Sequence, residues 1–247
     1  MCQTPCTKRL QIIGKFTDSY FGSFSFSKTN FKVSVSKDGG YRNDIKFAEI
    51  NDNFPNESYL RYSIKDTMML KDKYFKIDTL LYNPTQLVLR LLEIQKQVFG
   101  FKEGYKLKNY MVEDLNGKKV TLKKLANKKL LLLDFWGTWC QPCMELTPDL
   151  IELNNKYKSK LKLVSLAYQK EIKPVQEYVL KNKLDWFNGI IVKGNPKIFY
   201  EKRKIIRELK VRAFPTFILL DKDFNIIYRT YGGGENFKKL LDVIDKY

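Results

Sequence analysis

The stretch LLLLDFWGTWCQPC, residues 130–143, decides the reading of this chain. Leu130 to Trp136 form an apolar run broken only by Asp134, the pattern of a strand buried on both faces. A Cys-x-x-Cys follows at Cys140 and Cys143, and apolar residues then recur at helical spacing through Met144, Leu150, Ile151 and Leu153. Two cysteines so spaced in the first turn of a helix can close a small disulfide ring. The first of them faces unpaired backbone N–H groups and the positive end of the helix dipole, which stabilise a thiolate. Cys140 is therefore the candidate nucleophile, and Cys143 the residue that resolves a mixed disulfide. Gln141 and Pro142, between them, are expected to tune the redox potential. Asp134 lies six residues before Cys140. Burial raises a carboxyl pKa and makes it a usable base near neutral pH. The chain has no histidine, which excludes a Cys–His dyad and any His-ligated metal within it. Asp134 is thus the best candidate for moving a proton, and no cofactor or metal is needed.

Working outward, MVEDLNGKKVTLKKL (111–125) carries Asn116-Gly117 between two apolar-alternating segments, a hairpin signal. Leu161 to Tyr168 read as a second buried strand. Pro174 to Lys183 and Pro196 to Val211 read as helices. Phe217 to Asp221 and Phe224 to Tyr231 read as strands turning at Asp221-Lys222-Asp223, and Glu235 to Tyr247 close the chain as an amphipathic helix. Strands alternating with helices and then a terminal hairpin indicate an α/β layer fold with a mixed sheet over residues 105–247.

Residues 1–100 have a different texture. Arg9 to Phe16, Tyr20 to Phe26, Phe31 to Ser36 and Tyr59 to Ile64 are short aromatic and β-branched runs, and Asp38-Gly39-Gly40 is a turn signal. Asn83-Pro84 resembles a helix start, with Leu87, Leu91, Ile94 and Val98 at helical spacing up to Gly100. The expectation is a β-rich accessory domain, of no readable role, ending in a helix.

The 247 residues, 44% of them apolar, can bury a real core. The net charge of +18 is spread over single and paired lysines with no run of five. Solubility and a mild attraction to acidic partners follow, and no nucleic-acid partner is expected. The start, MCQTPCTKRLQIIGKF, has no apolar stretch long enough for a signal peptide, and nothing later reads as a membrane span. Three readings stay open there: a cytoplasmic protein, a trimmed export signal, or a lipid anchor at Cys2. Cys2 and Cys6 can equally be paired or free.

DFWGTWCQPC resembles the active site of the thioredoxin-like superfamily. It looks closest to the bacterial envelope branch of TlpA- and ResA-type reductases and the alkyl-hydroperoxide-reductase/thiol-specific-antioxidant group. The resemblance spans roughly residues 105–247 and includes VRAFPTFILLDKDFNIIYRTYGG (211–233), similar to the second family signature. It implies a thioredoxin fold and thiol–disulfide exchange with protein substrates and an electron-donating redox partner, most simply as a reductase in the cell envelope or periplasm. It also implies a cis-proline at Pro215, flanked by Phe214 and Thr216, that faces the cysteine pair and positions the substrate chain; Trp139, Phe214, Pro215 and Thr216 are the candidate substrate-binding residues. Asp134 matches the proton-handling aspartate of thioredoxins, whereas the TlpA and ResA branch commonly has Asn there. That branch also tends to place a Glu where this chain has Leu146. Glu145 sits one position earlier, turned by about 100° around the helix.

The same residues admit other readings. A zinc site would need Cys2 and Cys6 to complete Cys140 and Cys143, and a zinc knuckle sits in a short turn rather than between a buried strand and a helix. A thiol peroxidase, the antioxidant reading, would carry a Pro-x-x-x-Thr-x-x-Cys frame, but Thr138 precedes Cys140 by only two positions. A client-binding chaperone with a secondary redox site would present Trp136, Trp139, Phe214 and Tyr231, although core packing is the simpler role for Trp136.

Overall fold

The computed structural model describes residues 9–14, 19–26, 28–38, 42–49, 67–70, 73–82, 85–92, 99–192 and 204–247. The chain divides into two compact units, Met1–Gln97 and Val98–Tyr247.

The first unit is built of antiparallel sheets. Strands β1 (Arg9–Gly14), β5 (Thr67–Leu70), β6 (Lys73–Tyr82) and β7 (Thr85–Leu92) make one sheet in the order β1-β7-β6-β5, and β2 (Ser19–Phe26), β3 (Thr29–Asp38) and β4 (Arg42–Glu49) make another. The helix expected from Asn83 does not form over Thr85–Leu92. Thr85–Leu92 is a strand, paired with both β1 and β6. Leu87 and Leu89 are buried while Val88 and Arg90 are half-buried, so the working period is two. A Leu87/Leu91 spacing of four satisfies both a helix and a strand, and pairing partners far along the chain decided between them. Ile94 and Val98, Asn83-Pro84, Gly39-Gly40 and the expected Tyr59–Ile64 strand lie outside the described residues.

In the second unit, hairpin β8 (Met111–Glu113) and β9 (Lys119–Thr121) turns at Asp114, whose Oδ1 accepts from the Asn116 and Lys118 N–H groups, with Gly117 at φ +83°. A short helix α1 (Leu122–Ala126) leads into β10 (Leu130–Trp136). There follow α2 (Gln141–Glu145), α3 (Thr147–Tyr157), β11 (Leu161–Gln169), α4 (Lys173–Lys181), β12 (Phe187–Val192), α5 (Lys204–Glu208), β13 (Thr216–Leu220), β14 (Ile226–Tyr231) and α6 (Glu235–Lys246). The central sheet has the order β12-β11-β10-β13-β14, with β10, β11 and β12 parallel and β13 and β14 antiparallel. This is the mixed sheet of a thioredoxin fold. Of the helix expected over Pro196–Val211, α5 is the described part; Leu209–Val211 lie beyond its end, and residues 196–203 are not described.

All seven residues of β10 are buried, because both faces of the sheet are covered. Leu131, Leu133 and Phe135 point to one face, with Val164, Leu166, Ile218 and Leu220, and pack under Leu122 of α1 and Ile205 and Ile206 of α5. Leu130 and Leu132 point to the other, with Leu163, Phe217 and Leu219, under Leu150 and Leu153 of α3 and Phe237, Leu240 and Ile244 of α6. Strand β12 has no counterpart in the sequence reading because Gly189 interrupts its apolar run. The glycine is there for a close approach: a Cβ on it would lie 2.8 Å from the Glu113 carbonyl oxygen and 2.9 Å from Leu166 Cδ2.

Candidate active site

The end of β10 delivers the chain to the cysteine pair. Gly137 accepts the Cys140 N–H, and Cys140 becomes the N-cap of α2, in extended backbone. Its carbonyl in turn accepts from the N–H groups of Cys143 and Met144. Cys140 and Cys143 are joined as a disulfide, with Cα atoms 5.3 Å apart, so neither sulfur is free to bind a metal in this form. Burial does not rank the two cysteines, which are 5% and 3% exposed. Position ranks them: Cys140 sits at the helix start, and Cys143 one turn inside. They pack in a small cluster with Trp136, Ala167, Val175 and Ile190.

Gln141 and Pro142 are exposed. Gln141 Nε2 donates to Glu145 Oε1 at 2.9 Å, so Glu145 lies on the outer face of α2, away from the sheet. Leu146 is buried and supports the turn at Gly233. Between α2 and α3 the chain bends at Leu146, and Tyr178 of α4 braces the bend. Its hydroxyl shares a 2.8 Å hydrogen bond with Thr147 Oγ1 and donates to the Met144 carbonyl at 3.4 Å. Tyr178 went unnoticed in the sequence, where nothing distinguishes it from other helix tyrosines.

The Phe214–Pro215 peptide bond is cis. Phe214 is half-buried between two rings: Trp139 meets it edge-on at 5.2 Å, and Tyr168 stacks on it at 5.7 Å. Trp139 is 53% exposed, and its indole N–H donates to the Tyr168 carbonyl at 2.8 Å. The result is an aromatic shelf at the mouth of the site. Pro215 and Thr216 are buried. Thr216 Oγ1 donates to the Ala213 carbonyl, and its backbone lies between Phe135 and Tyr231. Its side chain therefore does not belong to an outward-facing binding surface. Trp136 is core.

Asp134 is 2% exposed. Alternation along β10 puts it on the face of Leu132 and Trp136, the face that carries the cysteine cluster. Its Oδ2 accepts from Ser165 Oγ at 2.8 Å, and its Oδ1 has no hydrogen-bond partner. Burial dominates: it pushes the carboxyl up to about 7, against the lowering effect of the Ser165 bond. Ser165 is itself held by the Trp186 indole N–H at 2.9 Å. The sequence reading singles out neither residue, although Ser165 is the one small polar residue in the run LVSLA. Cys2 and Cys6 lie outside the described residues, and among those described no helix is long and apolar enough to cross a membrane.

A sequence profile of the thioredoxin-like family matches residues 127–226. The ResA thiol–disulfide oxidoreductase of Bacillus cereus is 36% identical over 140 residues, 56% of this chain and 74% of that relative. The thioredoxin-like protein YneN of Bacillus subtilis is 28% identical over 130 residues, 51% of this chain and 70% of that one. Among solved structures, the thioredoxin domain of a thiol–disulfide oxidoreductase from Bacteroides vulgatus matches with a TM-score of 0.50 at 20% identity, covering 59% of this chain and 96% of that domain. That likeness concerns the fold.

Proposed function

This chain belongs to the thioredoxin-like family of ResA-type thiol–disulfide oxidoreductases, and from that premise we propose that it works as a reductase of protein disulfides. The Cys140 thiolate attacks one sulfur of a substrate disulfide. A Cys140–substrate bond forms, and the other substrate sulfur leaves with the electron pair and takes up a proton. Cys143 then gives its proton to Asp134 and attacks Cys140 Sγ. The Cys140–Cys143 bond forms, the second substrate thiolate departs, and the protein is left oxidised until a dithiol partner restores it. Trp139 and Phe214 contact the substrate, Pro215 positions its chain, and Gln141 and Pro142 tune the potential.

The observation that carries the exchange chemistry is Asp134, and the reductase direction rests on the resemblance to the ResA-type branch. A carboxyl held at about 7 on the sheet face that carries the cysteine cluster can take the Cys143 proton near neutrality. That proton must move when the reduced form hands its electrons on. We assign the residues up to about 100 an accessory role and those from about 105 the redox role. We place the protein in the cell envelope, on its resemblance to that branch.

The test is the reduction potential of the Cys140–Cys143 couple, measured by equilibration in dithiol buffers. A value near the thioredoxin end, about −270 mV, supports a reductase, and one near about −120 mV makes the protein an oxidant instead. Absence of any reversible disulfide between the two cysteines overturns the whole reading.

A further inference from the structure

We propose that Trp186 and Ser165 form a fixed-direction donor chain that dictates which oxygen of Asp134 carries the transferred proton: Oδ2 stays a hydrogen-bond acceptor, and Oδ1 takes up and releases the proton. The inference rests on Asp134 being the acceptor for Cys143.

The direction comes from chemistry. An indole N–H can only donate. Trp186 Nε1 donates to Ser165 Oγ at 2.9 Å, and the hydroxyl then directs its own hydrogen to Asp134 Oδ2 at 2.8 Å. A proton on Oδ2 would either point away and leave Ser165 donating to a carboxylic hydroxyl oxygen, a poorer acceptor than a carbonyl oxygen, or point at Ser165. In the second case Ser165 would accept from both neighbours, and its own hydrogen would be left without an acceptor in a buried place. A buried unmade hydrogen bond is costly. A proton on Oδ1 leaves the Ser165 bond intact, and because Oδ1 is buried with no partner in the disulfide form, that proton is held only weakly and is the one free to pass to and from Cys143.

The chain is anchored by tertiary structure. Asp134 and Ser165 are in register across β10 and β11, and Ser165 and Asn188 across β11 and β12. Asn188 Nδ2 donates to the Trp186 carbonyl at 2.8 Å and to that of Leu184 at 3.3 Å, which holds the segment entering β12. Otherwise the surroundings of Asp134 are apolar: Leu132 and Trp136 on its own strand, Phe217 on β13, and Leu150 and Leu153 inward from α3. The titratable side chains turned inward on that face, among the described residues, are Cys140 at the start of α2 and Cys143 within it, Tyr178 of α4, Tyr157 at the end of α3 and the partly buried Tyr228 of β14; Glu235, Lys238, Lys239, Asp242, Asp245 and Lys246 of α6 are exposed. Asp149, Glu152 and Lys156 of α3 are exposed. No other charge therefore competes with the donor chain for Asp134.

Two readouts on the reduced full-length protein test this. An aromatic disulfide reagent releases one coloured thiolate when Cys140 attacks and a second when Cys143 resolves, and stopped-flow mixing from pH 5 to 9 separates the phases. Ser165→Ala is expected to move the midpoint of the second phase up by about one pH unit, the size of one lost hydrogen bond to a charged group, with the first phase unmoved. Trp186→Phe moves it the same way by less, and Ser165→Thr, which keeps the hydroxyl, restores it. The second readout is the infrared carboxylic-acid C=O band that disappears in Asp134→Asn. With the proton on Oδ1, the carbonyl oxygen is Oδ2, so Ser165→Ala raises the band frequency. An unmoved band puts the proton on Oδ2 and overturns the inference. A second phase unchanged in Asp134→Asn instead overturns the role of Asp134 itself. A normal Asp134→Asn effect with no shift in Ser165→Ala overturns the donor chain alone.

Discussion

Replacing Asp134 with Asn is expected to change the pH dependence of stability more than the stability itself. Burial raises the carboxyl from 3.8 to about 7 in the folded protein, so the folded state holds this proton more tightly than the unfolded chain. The resulting stabilisation is fully present below the unfolded value and is lost as pH rises, the loss being complete once pH has passed through about 7. At about 1.4 kcal/mol per pH unit, the parent should lose about 3 kcal/mol between pH 4.5 and pH 8 from this one group. Asparagine does not titrate. It can still accept from Ser165, but it buries two N–H donors near the place of Oδ1, a constant cost of about 1–3 kcal/mol. Asp134→Asn should therefore be the less stable protein at pH 4.5 and draw level with or overtake the parent at pH 8. The assay is urea unfolding of the oxidised form followed by tryptophan fluorescence. The chain has 3 tryptophans, Trp136, Trp139 and Trp186, all in the unit that holds the cysteines, so the signal reports that unit and not the N-terminal strands. A difference between the two proteins that stays constant from pH 4.5 to pH 8 would refute the reasoning.

Cys143→Ser should hold the Cys140–substrate bond, so incubation with a disulfide-bonded protein yields a reducible adduct on a non-reducing gel; trapping by Cys140→Ser instead would reverse the assigned order. Gly137→Ala should act through Trp139. Its Cβ would lie 2.5 Å from the indole Nε1 and 2.9 Å from Cε2, forcing the ring off Phe214 and the Tyr168 carbonyl. A displaced shelf that loses one contact to the substrate chain worth about 1.4 kcal/mol raises KM for a protein substrate about tenfold. Turnover of a small disulfide should be retained, and equal losses on both substrates would show that the shelf does not bind the substrate chain.

The residues around the cysteine pair show where local sequence suffices. Leu130–Trp136 is an apolar run closely followed by Cys-x-x-Cys and helical spacing, which fits a central strand feeding a helix start, and all seven of its residues are buried. Asp134 was legible for the same reason, as a carboxyl inside that strand must be buried. Leu87 and Leu91 show the opposite case. Their spacing fits two periods, and β1, some 75 residues earlier, decided for the strand. Gly189 hid β12, because its purpose is the approach of Glu113 and Leu166 from elsewhere in the chain.

What the amino-acid sequence determined by itself is therefore the chemistry: two cysteines at a helix start, a buried carboxyl behind them, and the absence of any histidine to do its work. What the tertiary structure alone decided is how that chemistry is held. The partner of Asp134 is a serine 31 residues away on the next strand, itself bonded to a tryptophan 21 residues further on. The shelf is Trp139, Phe214 and Tyr168, from three separate segments. Thr216, adjacent to the proline, is turned away from it by its strand partners. Spacing along the chain specifies which faces are apolar and which ends of helices meet a thiol. Hydrogen bonds between neighbouring strands depend on register, and register is set only when the whole sheet closes.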